Sequence, residues 1–363
     1  MFWELLRNRR FNKLILIIKE KIMKFISAII ASCVFSGVAV GQDTDSDTFS
    51  LVLADASTRA SLNDNHLGIN VGGFIQTGWE YSNGGGLPAQ NGFSVDRARL
   101  TFSGDTSNES FSYLVSGEWS DATNSFDLLD AVVTLRMFEE ANIRVGQFVP
   151  QFYAGYVTDP TQLTTLNYSV TALTFGQGRG AGIEAFRSFG DFEVSAFYNN
   201  GFDTAGVGVG DNKYAIGVAA NYRVNDSVSL NGGWAYDSVT EGVNSFTFGG
   251  TLTEGLLTLD ADWIANDAGA GSLDNWSVVT TAAYKCFDKF EGFAQWEYGD
   301  YDGSLNILTV GGNYDLAHGL VWTNTAGYAL EGIGSNFDTE NTGWRSGSDS
   351  GQFVLRSGIT ISF

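Results

Sequence analysis

Arg97 and Arg99, two residues apart, and Arg144 and Arg356 carry permanent charge in segments where every second residue is apolar. Glu118, Glu184, Asp260, Asp262 and Glu297 occupy positions of the same kind. Residues two apart in a strand share a face, so each of these charges stands opposite an apolar face. On the inside of a closed sheet, such charges would line a water-filled lumen, orient dipolar solutes and set ion preference. The same parity adds Arg136, Arg223, Glu80, Asp130 and Glu291. The basic members fall on the second, fourth, fifth, eighth and last segments, and much of the acidic set on the eleventh and thirteenth. This predicts a basic wall facing carboxylates across the lumen. The competing reading is a set of solvated or locally paired groups without selectivity.

Other chemistry finds little support. His66 and His318 both fall at turns, and the pattern supplies no nucleophile beside either, so no catalytic residues are assigned. Gly176, Gly178, Gly180 and Gly182 form no phosphate loop, because no Lys-Ser/Thr follows. The acidic loop at 203–211 lacks the ligand spacing of a calcium loop. No metal and no cofactor is expected.

The first 41 residues read as a targeting segment. Met23-Lys24 precedes an apolar run at 25–40, and Ala39-Val40-Gly41 supplies small residues, placing cleavage after Gly41. Residues 1–22 are either an upstream extension of a start at Met23 or a long basic leader. A lipoprotein cut at Cys33 fits less well, because the apolar run continues past it. The remainder holds 13 Lys/Arg against 39 Asp/Glu, which excludes a nucleic-acid binder. It retains only Cys286, so neither an internal disulfide nor a thiolate metal site is available. It contains no apolar run long enough for a membrane helix, yet a secreted chain can still cross by closing a barrel.

From residue 66 the chain alternates in segments of about ten residues. Tyr214, Ile216, Val218, Ala220 and Tyr222 oppose Ala215, Gly217, Asn221 and Arg223; Ala294, Trp296 and Tyr298 oppose Glu291, Gln295 and Glu297. Sixteen segments start near 67, 93, 110, 127, 141, 179, 191, 213, 227, 245, 256, 275, 290, 305, 320 and 352. Their connections alternate in length, short ones such as 189–190 and 254–255 between longer ones at 82–92, 150–178, 201–212 and 331–351. Short periplasmic turns and long outer loops produce that parity in membrane barrels. Trp79, Trp119, Trp234, Trp263, Trp296 and Tyr298 fall near segment ends, as interfacial girdles do. The chain finishes on an alternating strand with a terminal Phe363. The expected organisation is a targeting segment at 1–41, a short arm, plug or loose tail at 42–65, and a 16-stranded antiparallel transmembrane barrel at 66–363.

The stretch Gly-Phe-Ser-Val-Asp-Arg-Ala-Arg-Leu-Thr-Phe-Ser-Gly at 92–104 resembles the second-strand signature of the phosphate-selective porin O and P family. The runs at 129–133, 145–150, 179–183 and 197–201 resemble that family too, in order and spacing. The resemblance implies a homotrimeric channel in the bacterial outer membrane, in contact with its lipids and passing small hydrophilic solutes or ions. It also implies that the longest loop folds inward, placing Phe152, Tyr153, Tyr156 and Asp159 at the constriction. The chain departs from the family in charge: its long loop carries Asp159 and no Lys or Arg. Phosphate selectivity is therefore not carried over, and the acidic loops predict weak cation preference. An anion-selective or other substrate-specific channel, and a closed structural or adhesive barrel, remain the alternatives.

Overall fold

The computed structural model describes residues 68–106, 110–120, 125–138, 141–202, 213–238, 242–267, 273 and 275–363. The targeting segment, the arm at 42–65, His66 and the acidic loop at 203–211 lie outside them. Sixteen strands follow in chain order. The first eight are β1 Asn70–Gly84, β2 Leu87–Asp105, β3 Phe111–Ser120, β4 Ser125–Phe138, β5 Ala141–Phe148, β6 Gly180–Phe189, β7 Phe192–Asn199 and β8 Ala215–Asn225. The second eight are β9 Val228–Asp237, β10 Val243–Glu254, β11 Leu257–Asp267, β12 Asn275–Phe287, β13 Phe290–Asp300, β14 Ser304–Ala317, β15 Leu320–Ala329 and β16 Phe353–Ser362. Each pairs antiparallel with its chain neighbours, and β16 returns to β1, closing the barrel.

Closure leaves no open sheet edge, so the strand backbones satisfy one another without water. The alternation read from the sequence is what sorts the two faces. On β13, Gln295 and Glu297 are buried inside, whereas Trp296 and Tyr298 between and after them are exposed outside. Val71, Val133, Val145, Leu308, Val310 and Ile361 are likewise exposed on the outer surface. A belt of that kind would be untenable in water and fits a hydrocarbon layer. Among the described residues no helix is long and apolar enough to cross a membrane.

Fifteen strand starts fall within three residues of those read from the alternation; β2 is the exception. The long outer loop expected at 82–92 does not exist. Gly84 pairs with Leu87, leaving Gly85 and Gly86 as a two-residue hairpin with φ of 64° and 74°. Two consecutive positive φ values match the right-handed twist of a hairpin, and glycine adopts them without a Cβ penalty. The glycine run that reads as a loop is therefore the tip of two long strands.

Two irregularities bear on the interior. The register of β1 against β2 shifts at Gln76/Thr77, inserting Asp96 as an extra residue that points inward, 2% exposed. Between β3 and β4 a second shift sets Leu129 out of register, and the Gln147 amide donates to the carbonyls of Leu128 and Leu129 at 2.9 and 2.8 Å. Bulges of this kind re-aim side chains locally. The first supplies a carboxylate that the regular alternation would not place in the lumen.

Candidate functional site

The site is built by two loops lying inside the barrel. The inner loop, residues 149–179, contains two short helices, α1 Ala154–Val157 and α2 Val170–Phe175, with a 3-10 turn Pro160–Gln162 between them. Asp159 caps the 3-10 turn, accepting from Thr161 N at 2.8 Å, and Ser169 caps α2, accepting from Ala172 N at 2.9 Å. Such caps satisfy the free N–H groups of a short helical turn that nothing else would pair.

Polar side chains of the wall hold this loop along its length. Gln151 N donates to Glu184 Oε1 at 3.0 Å, and Glu184 also pairs with Arg144. Gln76 donates to the Leu166 carbonyl, and Asn313 Nδ2 to the Thr164 carbonyl at 2.8 Å. Thr171 N donates to Glu297 Oε2 at 2.8 Å, while its hydroxyl meets Ser277 Oγ at 2.8 Å. At the end, Arg179 Nε reaches Asp130 Oδ1 at 3.1 Å. Wall glycines admit the apolar side chains between these anchors. A Cβ on Gly233 would stand 2.9 Å from Phe152 Cδ2, and one on Gly358 2.7 Å from Leu166 Cδ2.

The eighth outer loop, residues 330–352, also turns inward. Ile333, Phe337 and Trp344 are buried, Asp338 N donates to Thr174 Oγ1 at 2.9 Å, and Asn167 donates to the Asn341 carbonyl. Together the loops form an apolar block in which Phe152, Tyr153 and Phe175 pack with Phe197, Ile264, Leu305 and Phe337. That block occupies the side of β7–β15.

A polar cavity of about 420 Å³ remains against the wall of β2–β5. This is many times the roughly 30 Å³ a water molecule takes up in the liquid. Arg97, Arg99, Arg144 and Arg179 line it, together with Glu118 and Asp130 from the wall, Asp159 from the inner loop, and Asp338 and Glu340 from the eighth. Arg99 binds Glu118 at 2.8 Å and faces Asp159 at 3.5 Å. Arg356, next to this wall, is clamped by Asp96 at 2.8 Å and Glu80 at 3.3 Å. Among the described residues Arg97 alone of the lining arginines lacks a carboxylate partner; its guanidinium lies 5.1 Å from the Tyr168 ring centroid. A guanidinium over an aromatic face gains from the ring quadrupole without losing its charge. Burial pushes the Tyr168 phenol up to about 12, so its hydroxyl stays protonated, and it donates to the Thr158 carbonyl at 2.7 Å.

The structure brings Arg97, Arg99, Arg144, Glu118 and Asp159 to one cavity, with Tyr156 on its rim. It separates the rest. Glu184 is fully buried, Asp262 is 3% exposed and Glu297 2% exposed, all facing inward but covered by the inner loop. Asp260 is half-buried and accepts from Thr251 Oγ1 at 2.7 Å. Phe152 and Tyr153 are buried at 3% and 1% and belong to the loop's seating, not to the open lumen. The basic wall facing carboxylates across the pore is likewise corrected. Arg99 and Arg144 find their carboxylates on the neighbouring strand, Arg179 at the end of the inner loop reaches Asp130 on β4, and Arg356 on β16 is held by Glu80 on β1 and the bulged Asp96 on β2. Local pairing wins because a desolvated guanidinium costs too much to leave unmatched at strand-to-strand distance. Arg136 pairs with Asp105 at 2.9 Å near the turn end, and His318 is exposed in the turn between β14 and β15. Asp338 and Glu340 escaped the alternation argument because loops carry no period, and Arg179, read as the first residue of a segment, sits at the end of the inner loop just before β6; the apolar Ile333, Phe337 and Trp344 within a polar loop are the signal that it folds inward.

Comparison with known proteins agrees with this geometry. Residues 69–225 match the family model for phosphate-selective porin O and P. A search of curated proteins returned no match. Among solved structures, the anion-selective porin from Comamonas acidovorans superposes with a TM-score of 0.64 at 17% identity, covering 82% of this chain and 100% of that one. Outer-membrane expressed OmpT of Vibrio cholerae gives 0.58 at 13%, covering 86% and 100%. A mutant of Rh. blastica porin gives 0.54 at 17%, covering 81% and 100%. The family match, the closed sixteen-strand barrel and the outward apolar belt converge: this chain has the sixteen-strand fold of the outer-membrane porins, and its residues 69–225 are similar to the phosphate-selective porin O and P family.

Proposed function

We propose that the barrel is a passive channel for small hydrophilic solutes and ions, with a weak preference for cations. The observation that carries this reading is the charge balance of the cavity, four arginines against five carboxylates. Most of the arginines are neutralised by a neighbour, whereas Asp159, Asp338 and Glu340 are exposed to the lumen. Exposed carboxylates on the inward loops raise the local cation concentration, and paired arginines oppose it little. Planar-bilayer recording in a salt gradient tests it: stable conductance steps with a cation-side reversal potential support the proposal, and their absence from a folded barrel favours a structural or adhesive role.

A second reading, anion preference, is favoured by Arg97, which no carboxylate among the described residues pairs with, and by the likeness to a porin described as anion-selective. Replacing Arg97 separates the two readings.

The channel is proposed to work as a homotrimer. Three consecutive strands, β4–β6, carry no Trp or Tyr, while Phe126 and Leu128 there are 64% and 53% exposed. A gap in the interfacial girdle is what a face turned toward another subunit would show. Chemical cross-linking of the detergent-solubilised protein checks it, a trimer band supporting the arrangement and monomer alone opposing it.

A further inference from the structure

Asp260 and Asp262 stand two residues apart on the inner face of β11, and no Lys or Arg forms an ion pair with either among the described residues. Asp262 is 3% exposed, and its Oδ1 has no hydrogen-bond partner. The inner loop lays Tyr153 against the same place: its hydroxyl is also without a partner, and the residue is 1% exposed. The other oxygen of Asp262, Oδ2, stands beside that hydroxyl. The position a Cβ would take on Gly155 lies 2.9 Å from the Tyr153 hydroxyl and 3.3 Å from Asp262 Oδ2. Asn231 on β9 donates its side-chain amide to Asp262 and keeps its own Oδ1 without a partner.

Buried carboxylates are ordinarily paired, hydrogen-bonded or bound to a metal, because an unmatched charge in a dry site is costly. Here two carboxylates on one face of β11 and a buried phenol oxygen beside one of them have no Lys or Arg paired to them among the described residues. We propose that this pocket between the inner loop and β9–β11 binds a hard cation, for which oxygen-only donors carrying two negative charges fit Ca²⁺. The cation would tie α1 and its flanks to the wall on the side away from the aqueous cavity, and so hold the loop that shapes that cavity. The proposal does not depend on the ion preference of the channel.

The test uses the full refolded barrel in detergent, with folding verified by heat-modifiable migration. Tb³⁺ is the probe, its luminescence sensitised through the adjacent Tyr153 phenol, with Ca²⁺ and then Na⁺ as competitors. The expected result is saturable emission displaced by Ca²⁺ and lowered at least tenfold in affinity by Asp262→Asn or Asp260→Asn. Tyr153→Phe should weaken Ca²⁺ binding, measured by calorimetry, less than either aspartate substitution does, while losing most of the emission. Displacement by Na⁺ as readily as by Ca²⁺ would overturn the assignment of a divalent ion. Unchanged emission in the folded Asp262→Asn barrel would place Tb³⁺ on the exposed acidic loops and overturn the site. No Ca²⁺ heat in the unmutated protein would overturn it equally, leaving the carboxyls neutralised by protons.

Discussion

Arg99 on β2 and Asp159 on the inner loop face each other at 3.5 Å across the lumen cavity, the loop carboxylate standing against the wall guanidinium that Glu118 already neutralises at 2.8 Å. The Asp159 side chain is 46% exposed, so its contact with Arg99 is screened and its charge is felt by the solution. Asp159 therefore contributes more to the field of the passage than to the stability of the loop.

Asp159→Asn tests that division. Asparagine still caps the 3-10 turn, so thermal stability in detergent should change by less than about 1 kcal/mol. The reversal potential should move toward the anion side. A large loss of stability with no electrical change would show the reverse assignment.

Arg97→Ala removes the one lining arginine that has no carboxylate partner among the described residues. A unit charge about 4 Å from a passing ion is worth roughly 1 kcal/mol in water, with opposite sign for cation and anion, so the cation-to-anion permeability ratio should rise by up to about thirtyfold. Bi-ionic potentials measure this. A ratio unmoved by the substitution would mean that ions do not pass near the Tyr168–Arg97 stack.

Glu184→Gln acts differently, because Glu184 is fully buried and holds both Arg144 and the backbone of Gln151. Removing one member of a buried pair leaves the other charge unmatched, at about 3–5 kcal/mol. Urea unfolding followed by heat-modifiable migration should show that loss. The channels that remain folded should show noisier open states, since the start of the inner loop loses its anchor.

Gly233→Val probes the seating of the loop without touching charge. The added side chain enters the space of Phe152, whose ring already lies 2.9 Å from the position of a Cβ there. Overpacking of this kind costs roughly 1–3 kcal/mol. The barrel should still close, because the β8–β9–β10 pairing is independent of that contact. Single-channel conductance should change while the folded fraction falls only modestly; an unaltered conductance would show that Phe152 does not position the inner loop.

The barrel itself was readable from alternation because side chains two apart must share a face, and lipid outside with polar groups inside makes the contrast strong at almost every strand. The Gly84–Gly85–Gly86 run was misread because glycines mark both loops and hairpin tips, and only φ distinguishes them. Parity also brought Arg97, Arg99, Arg144 and Glu118 to the right face. It could not tell that Glu184, Asp262 and Glu297 are covered, because their burial is set by where a loop lies and not by their own strands. Asp96 was hidden for a related reason: a single inserted residue shifts the parity on which the reading depends.

In the proposed open channel the exposed loop carboxylates outweigh the largely paired arginines. Zero-current potential across a planar bilayer, recorded with the refolded protein under a KCl gradient, tests it most directly. Discrete conductance steps with a reversal potential displaced toward the K⁺ equilibrium value are predicted. Displacement toward the Cl⁻ value would contradict the account and assign the field of the passage to Arg97 and its neighbours.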